Sequence, residues 1–284
     1  MNLPEPRIAS ASNEAVQPTP NGTAPSEPGA SASPATPPSP GPARPNRSRA
    51  VGRPAPEAIF LDLDDTLWPL EPSMRAAEQA LRDWLAQHAP ATGTLLESGR
   101  RAELRAQVLI DHPGRRHEMS FTREELLRRA LVEAGNDEML APQAFSVFIA
   151  ARRRVTPYPE VEAVLAQWSR RYAIVAVSNG NADVMQTPLG RFFAAAVNPE
   201  NVGVAKPDSG IFLRACALAG VPPERALHIG DDPELDLIGA RRAGLQGAWL
   251  LRPELAHRHP PDACGDWHPE PFPDLRAIDQ LLGT

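Results

Sequence analysis

Two aspartates, Asp62 and Asp64, stand two residues apart at the end of the apolar run Ala58-Ile59-Phe60-Leu61. Successive strand side chains alternate faces, so carboxylates at i and i+2 point the same way. Like charges that close raise each other's pKa and call for a counter-ion or a proton. The plainer alternative is a solvated acidic turn after a strand. Three further segments carry groups that suit the first reading. Ser178-Asn179-Gly180-Asn181 offers a hydroxyl and a glycine turn able to present backbone N–H groups, and Lys206-Pro207 offers a cation. Gly230-Asp231-Asp232, with Asp236 one turn later, adds carboxylates. Oxygen donors with few His or Cys favour a hard ion, Mg²⁺ ahead of Zn²⁺.

Such a set suits phosphoryl transfer. A carboxylate attacking a phosphate dianion meets repulsion of roughly 4 kcal/mol per charge pair at about 4 Å, for an effective dielectric near 20. Mg²⁺ between the two, with Lys206 on the phosphate oxygens, removes that obstacle. Asp62 is then the expected nucleophile, forming an aspartyl-phosphate. Asp64 is placed to protonate the leaving oxygen and later to deprotonate water. Ser178 and the N–H of Asn179 hold the phosphate in line.

These groups need rigid elements behind them. Apolar runs predict buried strands at 58–61, 172–178 and 226–230, with shorter ones at 194–197 and 247–251. Helical spacing marks 159–170, 208–219, 234–243 (closed by Gly244) and 274–282, and Pro207 suits the first turn of the second of these. Strands alternating with helices of this length mean βαβ units and a parallel sheet, whose ligands sit beyond the carboxyl ends of the strands. Between the first two strands lie four helical stretches, 71–88, 95–110, 122–134 and 138–153, with no strand among them. The expected fold is therefore α/β: a Rossmann-like parallel sheet core, 57–67 and 157–284, with an inserted four-helix unit at 68–156.

The rest of the chain narrows the partners. A net charge of −6 argues against nucleic acid, and no apolar run is long enough to span a membrane. Two cysteines without CxxC spacing fit a reducing, cytoplasmic setting. Most arginines alternate with glutamates in helical stretches, the pattern of solvated helix faces. Residues 1–56, rich in Pro, Ala and Ser, have too little apolar surface to offset ordering entropy, and they lack the apolar stretch of a secretory signal. A flexible tail is expected, either dispensable or a docking segment for a proline-binding module.

Asp62-Leu63-Asp64-Asp65-Thr66, Ser178-Asn179-Gly180, Lys206-Pro207 and Gly230-Asp231-Asp232-Pro233-Glu234-Leu235-Asp236 resemble, in order, the four motifs of the haloacid dehalogenase (HAD) superfamily. The likeness covers about residues 57–284. It implies Mg²⁺ held by Asp62, the Asp64 carbonyl and Asp231, with Thr66, Asp232 and Asp236 around that shell and Asp236 steadying Lys206. It also places the helical unit where the family carries a cap. Dehalogenases of the family lack the second aspartate, its phosphonate-cleaving members lack an acid there, and its transport ATPases carry Lys-Thr-Gly after the first one. Asp64 is present and that tripeptide is absent, which leaves a phosphatase of a small phosphorylated metabolite. A sugar phosphomutase is one alternative, and a tail-mediated interaction protein that retains the core is another.

A finer likeness links Ser178-Asn179-Gly180-Asn181, His228-Ile229-Gly230-Asp231-Asp232 and Trp249-Leu250-Leu251-Arg252-Pro253-Glu254 to the riboflavin-pathway group. Those enzymes act on 5-amino-6-(5-phosphoribitylamino)uracil and, by likeness, on flavin mononucleotide. His117-Glu118-Met119-Ser120 with Arg123 resembles that group's cap motif, with Glu118 and Ser120 departing from it. His117 and Arg123 are thereby candidate substrate contacts, against the alternative of a solvated helix start. Trp68 either faces the site or seats the helical unit. His228 reads as a satisfied core histidine, and Arg252 as a local cap or pair. His257, His259, Cys264 and His268 match no zinc spacing and read as a loop.

Overall fold

The computed structural model describes residues 54–258 and 269–283. The tail reading of 1–56 falls almost wholly outside these residues, as do His259, Cys264 and His268.

The first strand, β1 (Ala58–Leu61), is buried along its whole length. Five helices follow: α1 (Leu70–His88), α2 (Pro90–Leu95), α3 (Arg101–Asp111), α4 (Met119–Glu133) and α5 (Ala141–Arg152). Strands and helices then alternate through α6 (Val161–Trp168), β2 (Ala173–Val177), β3 (Ala195–Val197), α7 (Pro199–Val202), α8 (Ser209–Ala219), β4 (Ala226–Gly230), α9 (Gly239–Arg242), β5 (Gln246–Trp249) and α10 (Leu275–Gly283). All strand pairs are parallel, in the order β3-β2-β1-β4-β5. The chain runs outward from β1 through β2 to β3, then crosses back to β4 on the other side. The strand order thus reverses at β1, where open parallel sheets hold their ligands.

Period-two alternation divides β1 between two cores. Ile59 and Leu61 pack with Val164, Leu165 and Trp168 of α6 and Ile278 of α10. Ala58 and Phe60 pack with Ile211, Phe212 and Ala215 of α8 on the opposite face. Helices on both faces explain why the strand reads as continuously apolar. The five helices after β1 have an apolar cluster of their own, in which Ala77, Leu81 and Leu85 of α1 meet Phe148 of α5 and Leu127 and Leu131 of α4.

Two expectations need correction. The stretch read as one helix over 95–110 is interrupted: Gly99 adopts φ +94°, a left-handed conformation, inside a widened turn at Leu96–Arg100. Five α-helices therefore lie where four were expected. Pro207 does not open α8. Asp208 is the N-cap, its side chain accepting from Gly210 N, and Pro207 sits just outside it.

No helix of the described residues is long and apolar enough to cross a membrane.

Candidate active site

Asp62 follows directly on β1, and its N–H donates to Ile229 O of β4 at 2.9 Å, which keeps it in register with that strand's tip. The buried Lys206 Nζ donates to Asp62 Oδ1 at 2.5 Å and to Asp236 Oδ1 at 2.6 Å. Asp236 is occupied on both oxygens: His228 Nε2 lies 2.8 Å from Oδ1, and Asp232 N donates to Oδ2 at 3.0 Å. Thr66 Oγ1 donates to Asp231 Oδ1 at 3.3 Å. One oxygen each of Asp62, Asp231 and Asp236 lies within 4.8 Å of the others, an arrangement able to hold a metal ion.

The electrostatics follow from burial. It pushes Asp62 up to about 7, against the pull of Lys206 and with Asp236 adding to the rise. Burial, reinforced by Asp62 and Asp236, pushes Asp231 up to about 9. For Asp236 burial is outweighed by the Lys206 charge and the His228 hydrogen bond, so its carboxyl falls below the usual range. Burial also opposes the Lys206 ammonium, yet Asp236 and Asp62 hold it above the ordinary lysine value. Once they give up their protons, three carboxylates outnumber the one lysine, and the oxygen-only donor set suits a hard dication.

Asp64 faces a different partner. Its carboxylate accepts from Arg152 Nη2 at 2.5 Å and from Trp68 Nε1 at 2.8 Å. Arg152, at the end of α5, also donates to Ser73 Oγ of α1 at 2.8 Å and is 1% exposed. Trp68 is fully buried and meets the site through its hydrogen bond to Asp64. Asn179 clamps the lysine loop, with Nδ2 donating to Lys206 O at 2.9 Å and Oδ1 accepting from Lys206 N at 2.8 Å. Ser178 Oγ accepts from Gly180 N at 3.0 Å. Asp232 Oδ1 accepts from Glu234 N and Leu235 N, which makes it the N-cap of the turn carrying Asp236.

The structure thus brings Asp62, Asp64, Ser178, Asn179, Lys206, Asp231, Asp232 and Asp236 around one cavity of about 480 Å³. Thr66 bonds to its wall through Asp231. Arg123 lines the helical side, paired with Glu78 Oε1 at 2.7 Å. His117 lies in the turn before α4, outside the lining residues. Outside that lining, Ser120 N donates to Glu200 Oε1 at 2.7 Å, tying the start of α4 to α7.

Several contributors were not visible in the motifs. His228 is more than core filler, because it buttresses Asp236, and among the described residues its Nδ1 has no hydrogen-bond partner. Arg252 does not pair locally. It reaches Glu160 Oε1 and Thr66 O, both at 2.6 Å, and stacks over Tyr158. Arg258 binds Asp65 Oδ2 at 2.7 Å, while Asp65 Oδ1 accepts from Leu70 N at the start of α1. With Arg152, three arginines converge on the loop after β1, so the reading of arginines as solvated faces fails there.

Gly230 shows how tightly the buttress is built. A Cβ placed there would lie 2.2 Å from Asp236 Cγ and 2.7 Å from its Cβ. Asp236 is pinned by three partners and has no alternative position. Gly230→Ala is therefore expected to destabilise the protein by about 1–3 kcal/mol, the range for overpacked interiors. The same change is expected to depress activity as Asp236 leaves Lys206. Urea unfolding beside steady-state kinetics checks both, and a fully active, equally stable variant would contradict the packing argument.

The geometry is that of an acidic, lysine-bearing site at the switch point of a parallel sheet flanked by helices. Residues 56–244 match the family model of haloacid dehalogenase-like hydrolases. The chain belongs to that family. It is 37% identical over 166 residues to the phosphoserine phosphatase of Thermus thermophilus, a match covering 55% of this chain and 61% of that protein, under two thirds of its length. It is 29% identical over 201 residues to the 5-amino-6-(5-phospho-D-ribitylamino)uracil phosphatase YigB of Escherichia coli, covering 69% and 84%. Among solved structures, a 2-haloacid dehalogenase from Pseudomonas syringae superposes with a TM-score of 0.74 at 33% identity, over 80% of this chain and 98% of that one.

Proposed function

We propose that the protein is a Mg²⁺-dependent phosphomonoester hydrolase working through a covalent phosphate on Asp62, with the helical unit as a cap that selects a small metabolite. The observation that carries this reading is the meeting of Asp62, Asp231 and Lys206 at the strand ends with a second aspartate, Asp64, two residues on. Relatives named as phosphatases support it. Asp64 favours it over halide release, because a halide leaves without a proton whereas an alkoxide needs one.

In this mechanism the ester phosphate lies against Ser178, Asn179 and Lys206. An Asp62 oxygen attacks phosphorus, the P–O bond to the alcohol breaks, and Asp64 gives the leaving oxygen its proton. Asp64 then takes a proton from water, whose oxygen attacks the same phosphorus and frees Asp62 and inorganic phosphate. Asp62, Asp231 and the Asp64 carbonyl would hold Mg²⁺, which offsets the charge between carboxylate and phosphate. Asp236, with both oxygens engaged, acts on the position of Lys206. Candidate substrates include 5-amino-6-(5-phosphoribitylamino)uracil and flavin mononucleotide, alongside phosphoserine and sugar phosphates.

The test is phosphate release across such a panel with Mg²⁺. Turnover is expected to vanish with EDTA, return with added Mg²⁺ and be absent in Asp62→Asn. Turnover that survives Asp62→Asn would rule out the covalent route.

Metal affinity supplies a second measurement. Since burial raises Asp62 to about 7 and Asp231 to about 9, both carboxyls hold protons at the acid end of the neutral range. A dication must displace those protons. Mg²⁺ binding followed by calorimetry is therefore expected to tighten from pH 6 to pH 9, by up to about tenfold per unit for each proton displaced. A flat profile would mean that these carboxylates are not the donors.

A further inference from the structure

The cavity is sharply divided in charge. Every carboxylate on its wall, Asp62, Asp64, Asp65, Asp231, Asp232 and Asp236, belongs to the loops at the strand ends. Helices α1, α4 and α5 add apolar side chains to the wall, Met74, Leu81, Leu126, Leu127 and Phe148. At the helical end stand four arginines: Arg101 and Arg105 on α3, Arg116 in the turn before α4, and Arg123 on α4. Arg101 and Arg105 are four residues apart, so both lie on one helix face.

These cations exceed their partners. Glu78 alone receives both Arg101 Nη1, at 2.6 Å, and Arg123 Nη1, at 2.7 Å. Arg123 is fixed further by its guanidinium over the Phe148 ring, 3.7 Å from the centroid. Among the described residues Arg116 donates only to a backbone carbonyl, Leu109 O, at 3.1 Å. Among the described residues Arg105 has no hydrogen bond or ion pair. Burial pushes the Arg123 guanidinium down despite Glu78, and Arg101 and Arg105 add to that. Four cations sharing one carboxylate partner, Glu78, are ready to receive an anion. The planar fork of arginine matches a carboxylate or a phosphate.

We propose that the helical end of the cavity is a second anion subsite, so that preferred substrates are phosphomonoesters whose leaving group carries an apolar spacer and ends in another negative group. This rests on the phosphohydrolase reading above and adds the substrate class to it. The phosphoester occupies the lysine end, the spacer lies along Leu81, Leu126 and Phe148, and the distal carboxylate or phosphate meets Arg105 and Arg116. A neutral distal group leaves those arginines without an anion, which sets the preference.

Three series of graded chain length test this: ω-phosphooxy alkanoates, the matching bisphosphates, and the methyl esters of the alkanoates, with p-nitrophenyl phosphate as reference. At some chain length kcat/KM for an acid or bisphosphate is expected to exceed that of its neutral counterpart by about tenfold, mainly through KM. The first two series separate a carboxylate preference from a phosphate one. In Arg105→Gln/Arg116→Gln, at exposed positions where folding is not at stake, the ratio is expected to fall to within about twofold. Esters cleaved as well as acids at every length, or a ratio that survives the double substitution, would overturn the subsite while leaving the hydrolase intact. No phosphate release from any compound, the reference included, would remove the hydrolase reading and the subsite with it.

Discussion

Lys206→Met is expected to abolish turnover and to lower the unfolding midpoint by roughly 10 °C near pH 8. The lysine is 4% exposed and its ammonium bridges Asp62 and Asp236. Methionine fills similar space but leaves two buried carboxylates facing each other, with Asp231 close by. Removing one partner of a buried pair costs about 3–5 kcal/mol, because the remaining charge has lost its compensation. The catalytic loss has the same source, since Lys206 is the cation that would meet the phosphate oxygens.

The pH dependence separates this account from a simple packing defect. Lys206 is raised above its ordinary 10.5 in the folded state, so its contribution is fully present below that value and lost as pH rises through the folded pKa. Asp236 is lowered below its ordinary 3.8, so its contribution is present above that value and lost as pH falls through the folded pKa. The ion pair thus stabilises the fold in the window between. In the variant the orphaned carboxyls escape repulsion by taking up protons. The difference in midpoint between wild type and Lys206→Met is therefore expected to be largest near pH 8 and to shrink toward pH 5. Thermal melts in chelator at several pH values measure it. An equal difference at every pH would assign the loss to shape rather than charge.

What could be read from the residues alone follows from how far apart the interacting groups lie in the chain. β1, β2 and β4 were legible because a strand covered on both faces must be apolar throughout, and four to five consecutive residues reveal that. The acidic tips were legible because Asp62 and Asp64, or Gly230, Asp231 and Asp232, sit within one or two residues of such a strand. The helical unit was legible as helices, but its break was not: Gly99 takes its left-handed turn between two stretches of good helix spacing.

The arginines act over much longer separations. Arg152, Arg252 and Arg258 meet Asp64, Thr66 and Asp65 across 88, 186 and 193 residues. Locally, Arg152 sits in a run of three arginines that looks like any solvated helix end. Only the packing of α5 along α1 turns that one side chain inward. The Asn179 side chain is a similar case: the residue was expected at the phosphate through its N–H, whereas its amide spans both polar groups of the Lys206 backbone. His228 looked like a core residue because it is one, and its second function depends on Asp236 arriving eight residues later.

Arg152→Met tests how far that hidden contact governs the chemistry. Arg152 belongs to α5, yet its guanidinium ends on the carboxylate expected to move the proton, and Ser73 of α1 fixes its other arm. Asp64 retains 16% side-chain exposure, so water recovers part of what the ion pair supplied and the loss falls below that of a fully buried pair. About 2–3 kcal/mol is expected in urea unfolding. With Trp68 Nε1 as its one remaining donor among the described residues, Asp64 samples other rotamers, and kcat is expected to fall about a hundredfold, as for other misplaced catalytic groups. Trp68, fully buried, should keep its fluorescence maximum, which guards against reading global unfolding as catalytic loss. The decisive measurement is a double-mutant cycle with Asp64→Asn. If Arg152 acts through Asp64, its replacement in the Asp64→Asn background costs little more activity, and the coupling in stability exceeds about 1 kcal/mol. Additive losses in both quantities would mean that Arg152 serves only to fasten α5 to α1, and the helical unit would then have no direct hold on the proton-transferring aspartate.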